Sequence, residues 1–118
     1  MACAGLMLAV VGLSMSGREA RAQENCRQSV VTFYSSQDYP GRTADGTSTV
    51  GALASGDWIA AGGSRYRLGD VVDVDGFGQY RIADRGHLSP DQVDILVATT
   101  AEAIQLGRQH RRVCVVEQ

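Results

Sequence analysis

Apolar residues recur along this chain in short runs, most of them strand-length, separated by polar turns. "SVVTFYSS" (29–36) is rich in β-branched and aromatic residues and predicts a strand. "QDYPGRTADGTSTVGALASGD" (37–57) has turn signals at Pro40-Gly41 and Asp45-Gly46, and predicts a long surface loop with at most one short strand. "WIAA" (58–61), "VVDV" (71–74), "QYRIAD" (79–84) and "VDILV" (93–97) follow as further strands, with "DGFG" (75–78) as a hairpin turn. "TTAEAIQLGRQ" (99–109) predicts a helix of about two turns, with Thr99 as N-cap, Glu102 completing a capping box and Gly107 closing it in the left-handed conformation. "RRVCVVE" (111–117) is the last strand. The pattern predicts a mainly β domain of six short strands with one or two short helices. Small barrels of this kind manage their exposed edges by closing.

Length and composition narrow this further. A chain of 118 residues, 44% hydrophobic, supports one core. The apolar run "AGLMLAVVGL" precedes "SMSGREARAQ", in which Ala20-Arg21-Ala22 fits a cleavage signal before Gln23. Residues 1–22 then read as a signal peptide and 23–118 as the mature domain, secreted or periplasmic. The run is too short for a comfortable membrane span, so no stable span is expected after cleavage. No charge precedes the run, and Arg18 and Arg21 lie close to the cut, so a retained anchor or a buried segment is the alternative. Cys3 falls in the leader. Cys26 and Cys114 remain, an even count that suggests a disulfide in an exported domain, against two unrelated buried thiols. The 11 basic residues are all arginine, the net charge is −2 and no basic cluster stands out, which argues against a nucleic-acid partner.

Two carboxylates fall in or at the end of apolar strands. In "QYRIAD", Asp84 shares a face with Tyr80 and Ile82, so it is expected to continue the core face and to be partly desolvated. Desolvation raises a carboxyl pKa and keeps a proton available for general acid chemistry. In "VDILV", Asp94 shares a face with Leu96, either buried on a second face or solvated, and the expected role is to accept backbone amides of the 85–92 loop and fix its shape. The alternative for Asp84 is a strand-end turn cap. His87 lacks companions at metal-ligand spacing, so no metal is expected.

Four blocks in order resemble the double-psi β-barrels of bacterial cell-wall proteins. The relatives are the three-aspartate domain, found in one class of lytic transglycosylases and in stationary-phase wall proteins, and the rare lipoprotein A family. "VVTFYSS" followed by "GRTADGT" resembles the opening strand and its Thr-x-Asp-Gly turn. "YRLGDVVDVDGFGQY" resembles the Leu-Gly block, with Leu68 and Gly69 at that pair. "IADRGH" resembles both "DTGG" and "NDRGP", and "VDILVATTAEAIQLGRQHRRVCVV" resembles the family ending. The resemblance covers residues 30–116 and implies a small six-stranded double-psi β-barrel. It puts the catalytic acid at Asp84 and the last family aspartate at Asp94. The first family aspartate falls near Gly62, and the rare lipoprotein A histidine is missing too; Asp57, a few residues upstream, substitutes only if the loop shifts.

The resemblance implies a lytic transglycosylase acting on peptidoglycan or a related polysaccharide, in which a single aspartate is acid and then base and the product is a 1,6-anhydro sugar. Tyr34, Thr43, Asp45 and Tyr80 would line the groove, with Arg85 and His87 as further substrate contacts, and no cofactor is needed. The competing reading is a non-catalytic, expansin-like wall-binding barrel. A third is an exported structural domain whose acidic residues only solvate loops.

Overall fold

The computed structural model describes residues 25–116. The leader and its cleavage site lie outside the described residues. Strand β1 (Cys26–Ser35) leads to helix α1 (Thr49–Ser55), then β2 (Ile59–Gly62), β3 (Val71–Val74), β4 (Gly78–Asp84), β5 (Val93–Val97), helix α2 (Thr100–Leu106) and β6 (Gln109–Val115). The six strands close into one barrel in the order β1-β5-β2-β4-β3-β6. Pairs β1/β5 and β2/β4 are parallel, and the other four are antiparallel. Exchanging β1 with β4, β2 with β5 and β3 with β6 preserves every neighbour and every direction. The barrel is thus two interleaved three-strand halves.

The expected 37–57 loop is corrected in part: it contains α1. Ser48 accepts the Gly51 amide as N-cap, and Gly56 ends the helix in the left-handed region. The run "TVGALAS" has one buried stripe, Thr49 and Ala52, too short for helical periodicity to register. Helix α2 begins as expected, with the Thr99 hydroxyl accepting the Glu102 amide. Glu102 Oε1 reaches back to the Ala98 amide rather than that of Thr99. Gly107 has φ 66° but ψ −155°, so it ends the helix outside the left-handed helical region. Among the described residues no helix is long and apolar enough to cross a membrane.

Side-chain alternation sorts the strands into two faces. Val31, Ala60, Val72, Val74, Ile82, Val93, Ile95 and Val113 fill the interior, joined by Tyr66 and Tyr80. A second cluster lies on the outside of the wall beneath α1: Ala52, Ile59, Ala83 and Leu96, with Tyr34 packed against it. Cys26 and Cys114 face each other across the β1/β6 pair and are bonded.

Candidate functional site

The two singled-out carboxylates come together because β4 breaks its own alternation. Ile82 pairs with Ala60, but Asp84 pairs with Ala61, so Ala83 is an extra residue. Such a bulge turns a strand's side chains by one position. Asp84 therefore does not continue the interior face of Tyr80 and Ile82, as strict alternation predicts. It joins the outer face in one lateral row across four strands: Thr32 (β1), Asp94 (β5), Ala61 (β2) and Asp84 (β4). The two aspartates flank a small residue, two strand spacings or about 10 Å apart at the backbone.

Each carboxylate is half-buried and held at one oxygen. Asp84 Oδ1 accepts the amides of Ala44 (3.0 Å) and Arg85 (2.9 Å). Its Oδ2 makes no hydrogen bond of standard geometry with a described residue. Asp94 Oδ1 accepts the Thr32 hydroxyl at 2.9 Å, and Thr32 in turn accepts from Gln92 Nε2. Burial pushes the Asp94 carboxyl above the usual aspartate range; the Thr32 bond opposes this, and the Asp84 charge adds to it. Tyr34 lies one row along on the same face. Its hydroxyl is buried and lacks a partner at hydrogen-bond geometry. Burial first, then the charges of Asp84 and Asp94, push that phenol far above its ordinary value. Asp84 is near enough to act on it as an acceptor as well, although the contact is not a well-formed hydrogen bond.

The 42–48 turn packs over the end of β4, with the Asp45 amide on the Ala83 carbonyl (3.0 Å). Asp45 Oδ1 collects the Thr43 and Thr47 hydroxyls and the Thr47 amide. Arg81 holds Asp45 Oδ2 on one side and Asp57 Oδ2 (2.7 Å) on the other. Desolvation works against the Asp45 charge, but the Thr47 and Thr43 bonds and Arg81 outweigh it and hold this carboxyl well below its usual range. Thr43 and Asp45 thus shape the turn beside Asp84. Asp57 lies ahead of β2, four residues before Ala61, and is tied to Arg81, which registers with Ile59. Arg81 is the residue that sequence reasoning missed; the only signal was a lone arginine in an apolar strand.

Arg85 and His87 are both exposed in the 85–92 loop. Arg85 turns back, and its Nη1 donates to the carbonyls of Gly62 (3.2 Å) and Gly63 (2.8 Å). A guanidinium thus sits on the backbone oxygens of Gly62 and Gly63. Tyr80 sits apart from the carboxylate row, inside the barrel against Trp58 (ring centroids 5.6 Å apart). Among the described residues no group of three or more His, Cys, Asp or Glu could hold a metal ion.

The raised Asp94 pKa carries a sign. The unfolded carboxyl ionises first as pH rises from its ordinary 3.8, so the folded state loses relative stability through the window up to the raised value. Asp94→Asn keeps an acceptor for Thr32 and removes this slope. Its melting temperature is expected to match the wild type below that window and exceed it above, read by thermal unfolding from pH 3 to 8. Asp45 acts in the opposite sense: its contribution is present above 3.8 and is lost as pH falls through its depressed value.

No protein-family model matches the chain, and no curated protein sequence matches it either.

Proposed function

We propose that this chain is an exported double-psi barrel of the cell-wall type that cleaves peptidoglycan strands as a lytic transglycosylase. The observation that carries the reading is the bulged end of β4, which puts Asp84 on the same outer face as Asp94 and Tyr34. The closed six-stranded barrel and the order of the four sequence blocks support it, and the disulfide is the kind that persists in an oxidising compartment.

In this mechanism Asp84 approaches the substrate through Oδ2, the oxygen that the two amides on Oδ1 do not engage. Protonated Asp84 donates to the glycosidic oxygen, and the C1–O bond breaks. The sugar's own C6 hydroxyl attacks C1, and its proton passes to the Asp84 carboxylate, which regenerates the acid. No water, metal or second nucleophile enters the balance, so a single aspartate suffices where hydrolysis usually needs two carboxylates. Asp94 and Thr32 hold the neighbouring strand end, and Asp45 holds the turn whose Ala44 amide fixes Asp84.

The mature protein is expected to release 1,6-anhydro-muropeptides from purified peptidoglycan, detected by mass spectrometry. Asp84→Asn should lower their rate of formation by about a hundredfold or more, the span of general acid catalysis. Absence of anhydro products from the wild-type protein rejects the reaction.

One observation favours the wall-binding alternative: where the family carries its first aspartate, this chain has Gly62 under the Arg85 guanidinium. Co-sedimentation with sacculi that Asp84→Asn leaves unchanged, without products, selects that reading.

A further inference from the structure

A cavity of about 530 Å³ opens between the end of α1, the head of β2 and helix α2. It shares no residue with the Thr32–Asp94–Ala61–Asp84 row. Trp58, Tyr80, Phe33 and Phe77 line it, four of the seven aromatic residues in the chain (one Trp, four Tyr, two Phe). The rings come in two tilted pairs, Trp58 with Tyr80 at 5.6 Å and Phe33 with Phe77 at 5.3 Å. Trp58 is 61% exposed, although its neighbours Ile59 and Ala60 are buried, so a large aromatic face is left open at the rim.

The charged side chains of the lining are both acidic, Asp57 and Glu102, and no arginine belongs to it. Arg81 satisfies Asp57 from outside the cavity. Glu102 makes no ion pair with a described residue, and its Oε1 is engaged only by the Ala98 amide at 3.3 Å. An apolar lining with a few polar groups, in this size range, is the usual form of a small-molecule site. Aromatic faces attract cations through their quadrupoles, and carboxylates at the rim reinforce that preference while repelling anions. The Phe77 ring is already taken by the Arg111 guanidinium, 5.2 Å from its centroid, so Trp58 supplies the open aromatic face.

We propose that this cavity binds a small organic cation, an ammonium group carried on an apolar body. The site is independent of the carboxylate row, so failure of the glycan reading leaves it standing, and the reverse holds. Trp58 is the only tryptophan in the chain, so intrinsic fluorescence reports this cavity directly. Benzyltrimethylammonium is the probe, with 2-phenylethanol as neutral and phenylacetate as anionic comparison. The expected result is a saturable change in Trp58 emission with the cation, at an affinity about tenfold above that for the alcohol, with phenylacetate weaker still. Glu102→Gln keeps a capping acceptor for α2 and removes the charge; it should weaken the cation several-fold and leave the alcohol unchanged. A change that does not saturate, equal affinity for cation and alcohol, or a cation affinity indifferent to Glu102→Gln each overturns the proposal.

Discussion

Replacing Cys26 and Cys114 together by serine is expected to lower stability by about 4–5 kcal/mol, the largest effect of any change considered. The bond joins residues 88 apart in sequence, close to the full span of the described domain. In the chain-entropy description, cutting so long a loop frees the unfolded state by about that amount. Its position sharpens the expectation. Cys26 and Cys114 are directly paired where β1 meets β6, the seam at which the first strand meets the last. The antiparallel β1/β6 pairing joins the same two strands, and the disulfide locks its outer end. The melting temperature of the double variant should fall by roughly 20 °C or more for a domain of this size. Reduction of the wild type should reproduce the fall. Equal melting curves for oxidised, reduced and doubly substituted protein would mean that strand pairing alone closes the barrel.

Gly63→Ala should cost about 3 kcal/mol, at the upper end of overpacking effects. A Cβ at this position would lie 2.0 Å from the Ser89 carbonyl oxygen and 2.5 Å from that of Pro90. Both are backbone atoms, so no side chain can swing aside. The chain must separate β2 from the 85–92 loop, which stretches the Gly63–Gln92 (2.9 Å) and Arg65–Pro90 (3.1 Å) backbone hydrogen bonds. That loop joins the end of β4 to the start of β5, the two points that carry Asp84 and Asp94. The variant should therefore lose stability, read as a lower urea midpoint, and with it the anhydro-product formation proposed for the carboxylate row. Gly41→Ala is the control. A Cβ there meets nothing within 4 Å, and its stability should stay within about 0.5 kcal/mol of the wild type.

Most strands were legible because their residues are. "VVDV" and "VDILV" have the observed boundaries, and "QYRIAD" lies within one residue of them. Strand β1 runs three residues earlier than "SVVTFYSS" suggests, since Cys26, Arg27 and Gln28 pair with β6 rather than follow an apolar pattern. Helix α1 was hidden because seven residues with one buried stripe look like loop composition. Ser48 and Gly56 were its only local marks, and both residue types are common in turns.

The candidate site divides in the same way. Asp94 on the Leu96 face follows from alternation alone, and the register agrees. Asp84 does not, because the bulge at Ala83 depends on how β4 meets β2, a contact between segments some twenty residues apart in sequence. Tyr34 comes near the carboxylates only because β1 lies parallel to β5. The Arg81 bridge from Asp45 to Asp57 joins a turn, a helix end and a strand, which no local pattern relates.

What the sequence determined by itself was local: where strands and turns fall, which face of each strand is apolar, and that two cysteines remain near the ends of the domain. These follow from side-chain chemistry at short range. What only the tertiary structure decided was register: the order of strands around the barrel, the one-residue shift that turns Asp84 outward, and the meeting of Trp58 with Tyr80. Register is set by how all six strands close on one another. A one-residue slip in that closure moves a side chain to the opposite face, whatever its own neighbours in sequence prefer.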